Sequence, residues 1–467
     1  MTHPAPGPVT RGPSAQSAYR WLGIAIAVAV VVAVVATVLA LVGIPVKGSA
    51  GVSAGPAGTA GGPFTASLPT QPVQRWTAAG SDVFGSSAHD IGYTSSGGGI
   101  AVLGAHTDGD NQVMAVNVAD GRPHWPRPTP VPNANGCWVT DFGDVLCKSS
   151  SLGDDQASVY FISGTDGSIR KQIRVPAGLI DIAAVDSTWI VYVSAYGSDA
   201  TDVYGYGPDG TQRWHVGGDL YQTPLVSRST GLVAIQNSSQ GQVVRGTDGH
   251  VVYSTGGRSS GFNRITMFYN GFAVSSIPSG GGPNEVALYD AGGRQVTVNR
   301  DDWQATSQTN YDPFSASFDC SGVVVYQSTA SGKGETLGVL DPVSGKLLWR
   351  TTLDGGLRND RCNGDRVFSI PIDNGYSDTV FDLRSGHAYG TIDLVSSDAL
   401  MGSDGKSAVY RISSAPGSHT VVAIAAFDLT TLQKVWTYPL DSGTDWNLDD
   451  AGLWKINTTT ISRYTSG

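Results

Sequence analysis

The chemistry available to this chain is limited to four cysteines, eight scattered histidines and a large stock of aspartate. Cys137 and Cys147 lie symmetrically about Asp141-Phe142-Gly143, so an antiparallel hairpin turning there sets them opposite one another within disulfide reach. Cys320 and Cys362 each precede a short Gly turn, Cys-Ser-Gly and Cys-Asn-Gly, and stand 42 residues apart. Neither pair has Cys-x-x-Cys spacing and no histidine pair adjoins them in sequence, so no zinc site is expected.

The 39 acidic residues include only two glutamates, Glu285 before a strand and Glu335 in a Gly/Lys-rich turn, leaving 37 aspartates. Most of these stand in Asp-Gly-like turns, where aspartate serves backbone geometry rather than acid–base work. Asp445-Trp446-Asn447-Leu448-Asp449-Asp450 begins like a calcium loop, but it has Asp450 at the sixth position and Ile456 at the twelfth. It is read as a solvated acidic turn, as is Asp108-Gly109-Asp110-Asn111. His89, His106 and His124 fall in one repeat, with separate surface or inter-blade roles expected. No Gly-x-Ser-x-Gly elbow precedes a strand–helix turn.

A formal net charge of −10, without a basic cluster, excludes a phosphate-tracking nucleic-acid protein. The excess of Arg over Lys, with the Ala, Gly and Val bias, points to a GC-rich coding sequence of the actinobacterial kind.

The segment from Trp21 to Ile44 is uncharged and apolar, and at 1.5 Å per residue it covers about 35 Å, enough to span a bilayer core. A cleaved signal peptide, with Gly48, Ser49 and Ala50 near the cut, would need an apolar core of only about 7–15 residues. Arg11 and Arg20 before the segment, against Lys47 after it, place the N-terminus in the cytoplasm. The expected layout is therefore a cytoplasmic tail at 1–20, a transmembrane helix at 21–45, a flexible Gly/Ala/Ser/Pro linker at 46–73 and an extracytoplasmic domain at 74–467.

That last domain repeats. Trp76, Trp125, Trp214, Trp349 and Trp436 share one context at the end of a short strand, at spacings of 49, 89, 135 and 87 residues. These are near multiples of about 45, the period of a propeller blade. Similar strand–turn–strand units without the tryptophan fill the missing registers, giving eight hairpins, each preceded by two more strand-like runs. The expectation is an all-β propeller of four-stranded antiparallel blades. Cys320 and Cys362 occupy the same frame of consecutive repeats, which suggests a staple between adjacent blades, with two buried thiols as the alternative.

The run VLDPVSGKLLW at 339–349 resembles the repeat of PQQ-like (quinoprotein-type) propellers, and 117–125 matches it more loosely. The chain is also similar to the propeller lipoproteins of the bacterial outer-membrane β-barrel assembly machinery. The resemblance covers about residues 74–467. It implies that Gly345 makes a turn, that the repeat tryptophans dock between blades, and that the Trp76 strand closes the ring. Eight hairpins plus that closure count strictly as nine blades. The family usual is eight, and eight is the number expected, with one weak repeat read as an insertion.

Quinone dehydrogenases of that family set an adjacent cysteine pair against the cofactor and use a Glu/Asn/Asp set for calcium. Neither is present, so no cofactor is expected. The reading is a non-catalytic, membrane-tethered platform that binds an envelope protein and no nucleic acid. An extracellular ligand sensor and an extracytoplasmic enzyme with an unrecognised site are the alternatives.

Overall fold

The computed structural model describes residues 67–467, apart from 86–87, 107–110, 150–155, 177, 196–200, 219–223, 238, 256–260, 278–281, 307–319, 329–333, 355–356, 372–376, 395–398, 416–419 and 442. The tail at 1–20, the span at 21–45 and the turn at 107–110 lie outside the described residues, as does most of the linker. Among the described residues no helix is long and apolar enough to cross a membrane. The one helix there, α1, is the five-residue Gly80–Phe84.

Apolar runs and tight turns alternate throughout, and they form nine four-stranded antiparallel sheets. Eight are built from consecutive strands: blade 1 spans 89–130, blade 2 134–176, blade 3 178–218, blade 4 225–254, blade 5 262–299, blade 6 304–354, blade 7 357–392 and blade 8 399–439. Blade 9 joins the two ends of the described chain. Strands Asp445–Asp449, Gly452–Ile456 and Thr460–Ser466 are completed by Pro72–Ala79, which pairs with Thr460–Ser466 from Pro72↔Ser466 to Ala79↔Thr460.

The count of eight is corrected to nine. Each of the eight hairpins is the outer half of a complete blade, so none is an insertion, and ring closure forms a separate sheet. Central strands are buried on both faces because each blade stacks on two neighbours: Leu232–Gln236 is buried at every position. Outermost strands alternate instead, as in Gln212–Gly218, where only Trp214 is buried.

The hairpin turns explain the aspartates. Asp120, Asp166, Asp209, Asp248, Asp290, Asp341, Asp382 and Asp428 each accept backbone N–H groups from two to four residues downstream. These Asx-type turns satisfy donors that the hairpin leaves unpaired. The backbone N–H of Ser168, with the Ser163 and Ser168 hydroxyls, holds Asp166 down to about 2.

The packed domain begins before residue 74. Leu68 is 1% exposed, and Trp436 donates its indole N–H to the Leu68 carbonyl at 2.8 Å. In blade 9 Gly467 and the segment just before Pro72 stand where other blades have the turn between third and fourth strands, and Gly467 N–H donates to Thr70 Oγ1 at 3.2 Å.

Candidate functional site at the ring closure

Each repeat tryptophan reaches out of its own blade. Trp76 donates to Val118 O at 2.9 Å, Trp125 to Gly164 O at 2.8 Å, Trp214 to Gly246 O at 2.8 Å and Trp349 to Leu383 O at 2.7 Å, in every case a carbonyl just past the third strand of the next blade. Trp436 makes the equivalent bond to Leu68, whose carbonyl stands in for a turn that blade 9 lacks. The indole ring covers the turn glycine of the neighbour. At Gly386, with φ of +70°, a Cβ would come 2.5 Å from Trp349 Cγ, so both the left-handed backbone and the contact demand glycine. Gly345, with φ of +67°, faces Thr297 rather than a tryptophan, with a Cβ 2.6 Å from Thr297 Cγ2.

Lys171, Tyr253, Thr297 and Gly390 hold the tryptophan position in the four blades without one, four residues after the turn glycine. Lys171 also donates across the seam, its Nζ bonding the carbonyl of the neighbour's turn glycine, Gly210 O, at 2.9 Å. Sequence reading missed this substitution because a lysine in an edge strand looks like ordinary surface.

The cysteines are paired. Cys137 and Cys147 are cross-strand partners joined by a disulfide, with Cα atoms 4.0 Å apart. Cys320 and Cys362 form a second disulfide, from blade 6 to blade 7, with Cα atoms 5.7 Å apart. His89 and His106 are opposite in register and stack at 6.0 Å, whereas His124 lies apart and contacts Asn117 Oδ1 at 2.9 Å. Glu285 opens strand Glu285–Asp290 and pairs with Arg300 at 2.8 Å. Glu335 lies inside strand Gly334–Leu340, not in a turn.

The segment expected to be a solvated acidic turn is instead the first strand of blade 9, Asp445–Asp449, because Trp446 and Leu448 pack into the blade 8–9 core. Its last residue makes the most elaborate polar site at the closure. Asp449 Oδ1 accepts the Trp454 indole N–H at 2.9 Å and the Ala451 N–H at 2.8 Å, both obligate donors. Asp449 Oδ2 meets two hydroxyls of blade 1, Tyr93 Oη and, at 2.5 Å, Ser96 Oγ.

Trp454, fully buried, is stacked on Tyr93 at 4.8 Å and set edge-on to Trp76 at 5.7 Å. Arg463 completes the seam by donating to Ala451 O and to Val118 O, the carbonyl that also receives Trp76. Burial of the carboxyl raises Asp449 to about 7; the Trp454 and Ala451 hydrogen bonds oppose the rise and the Asp450 charge adds to it. Hydroxyls can accept as well as donate, so Oδ2 can carry a proton without losing its partners. The carboxyl thus lies between blades 9 and 1, beside the stacked rings of Tyr93 and Trp454.

Among the described residues no group of three or more His, Cys, Asp or Glu side chains could hold a metal ion.

No curated protein matches the chain. Solved structures similar to it include BamB from Moraxella catarrhalis, 12% identical over 68% of this chain and 93% of that one, with a TM-score of 0.39. The computationally designed Ika8 protein is 12% identical over 84% of this chain and 99% of that one, with a TM-score of 0.36. The dihydro-heme d1 dehydrogenase NirN, solved in complex with DHE, is 12% identical over 76% and 73%, with a TM-score of 0.40. The family model that matches spans residues 63–467, the whole of the nine-bladed ring, and the chain belongs to the conjugation-associated 9-bladed beta-propeller domain family.

Proposed function

We propose that this protein is a non-catalytic, membrane-tethered propeller that offers a protein-binding platform on the extracytoplasmic side of the bacterial envelope, and that its partner belongs to conjugation-associated machinery. The last element extends the family's description to this chain. In this reading residues 1–20 are cytoplasmic, 21–45 cross the membrane and 46–73 carry the tether, in an organism with a GC-rich, actinobacterial type of genome. The 339–349 motif is scaffold that the chain shares with PQQ-like repeats and not a quinone site.

One observation carries the proposal. The eight turn aspartates shape turns within blades, and the repeat tryptophans and the Asp449 cluster join neighbouring blades, so the distinctive side chains serve the scaffold and the ring's broad faces and rim are left for partners.

The test is in-cell photo-crosslinking from positions spread over both faces and the rim. One envelope protein captured from adjoining positions supports the platform. A small molecule or metal that co-purifies with the full chain, with no protein captured anywhere, replaces it with a sensor or an enzyme. Protease added outside spheroplasts should digest 74–467 and leave an N-terminal membrane fragment; protection until permeabilisation reverses the topology.

A further inference from the structure

We propose that the outer strand of blade 2, Ile169–Pro176, is a docking edge that accepts an extended acidic segment of a partner protein as a fifth strand. The proposal rests on the platform reading and names the chemistry of its partner.

Ile169–Pro176 reads IRKQIRVP, and among the described strands it alone carries three cations and no acid, in a chain with 29 cations against 39 acids. Six of its eight residues are exposed. It ends its sheet, pairing only with Gln156–Ile162, so its outer row of N–H and C=O groups has no strand partner among the described residues. Such an edge is a template for another strand unless it is shortened, broken or charged. Blade 1 shows the shortened form, with an edge of two residues, Thr129–Pro130.

Charge decides the occupant. A second copy of Ile169–Pro176 would set Arg and Lys against Arg and Lys, which cross-strand pairing disfavours, whereas an acidic strand meets opposite charges. Lys171 is held in place by Gly210 O, and Arg174 makes no hydrogen bond or ion pair among the described residues. At the N-terminal end of the strand, Arg170 pairs with Asp144 at 2.8 Å, beside the turn that bears Phe142. Ile169, at the start of the same strand, is 42% exposed and adds an apolar side chain to the charged row. The segment that fits is extended and alternates acidic with apolar residues.

The test uses the full chain and a fluorescein-labelled synthetic peptide of alternating Glu and Val, read by anisotropy. Saturable binding is expected, weakened at least tenfold by Arg174→Glu in a variant whose near-ultraviolet circular dichroism matches the parent. A peptide with Lys in place of Glu should bind the Arg174→Glu variant better than it binds the parent. A peptide N-methylated at alternate amides, unable to pair as a strand, should lose binding. Equal binding of the methylated peptide, indifference to Arg174→Glu, or no peptide binding while single-stranded DNA binds through the same residues would overturn the docking edge. Crosslinks to an envelope protein from another surface, with the peptide indifferent to Arg174→Glu, would leave the platform standing and remove only this edge.

Discussion

Leu432 and Gly390 exchange the roles that glycine and tryptophan play at the seams closed by Trp76, Trp125, Trp214 and Trp349. Leu432 occupies the turn position where seven other hairpins have glycine, and it adopts the left-handed conformation at φ of +56°. Gly390, four residues after its own blade's turn glycine, occupies the tryptophan position, and a Cβ there would stand 2.7 Å from Leu432 Cδ1. The large side chain has moved from the strand of one blade to the turn of the next, and the volume between blades 7 and 8 is filled from the other side.

Gly390→Ala should therefore destabilise the protein by about 2 kcal/mol or more, since it adds both overpacking and a positive-φ side chain. In a Leu432→Gly background the packing part disappears, and the cost of Gly390→Ala should fall by about 1 kcal/mol, a coupling expected of touching residues. Urea unfolding of the double-mutant cycle measures it. Simple additivity would mean that the two residues do not share one space.

The repeat tryptophans differ in burial, and their truncation should differ accordingly. Trp125 is 1% exposed and bonded to Gly164 O, so Trp125→Ala should cost about 3–5 kcal/mol. Trp349 is only half-buried, and Trp349→Ala should cost less than Trp125→Ala, while Lys346→Ala, on the exposed turn beside it, should leave thermal unfolding nearly unchanged. Equal melting temperatures for Trp125→Ala and the parent would remove the inter-blade role.

These contrasts mark what a sequence can display. The Gly and Trp of a hairpin stand four residues apart in one string, so the repeat, the turns and the Cys137–Cys147 pair are legible from spacing. The partners across a blade seam are not local. Tyr93 and Asp449 are 356 residues apart in the chain, and nothing near Asp449 distinguishes a seam carboxyl from one more acidic turn. Leu432 and Lys171 were illegible for another reason: each breaks the motif, and only its neighbour shows what replaced it. The ninth blade was countable, but no single stretch of sequence contains it.

The two disulfides should contribute unequally. Cys137–Cys147 closes a separation of 10 residues and Cys320–Cys362 one of 42, so chain entropy assigns them about 2.7 and about 4 kcal/mol. Replacing Cys320 and Cys362 by serine should lower stability by about 1 kcal/mol more than replacing Cys137 and Cys147. Denaturant titration of the two double variants reads the difference, and the reverse order would contradict it.

Asp449 should give the fold a pH dependence opposite to that of its turn aspartates. Folding raises this carboxyl from the usual 3.8 to about 7, so between those values the folded protein keeps a proton that the unfolded chain has released. The corresponding stability is complete below about pH 4 and is lost as pH rises through about 7, at a cost of about 4 kcal/mol. Asp166, held near 2, acts in the other direction and only below that window. The parent should accordingly be more stable at pH 5 than at pH 8. Asp449→Asn keeps an acceptor for Trp454 and Ala451 and presents a permanent donor to the Tyr93 and Ser96 oxygens, so it imitates the protonated acid. It should match the parent at pH 5, exceed it by a few kcal/mol at pH 8, and lose most of the pH dependence between them. Chemical denaturation of both proteins across pH 5–8 decides the matter, and a parent whose stability stays flat over that range would show that the seam carboxyl is ionised throughout.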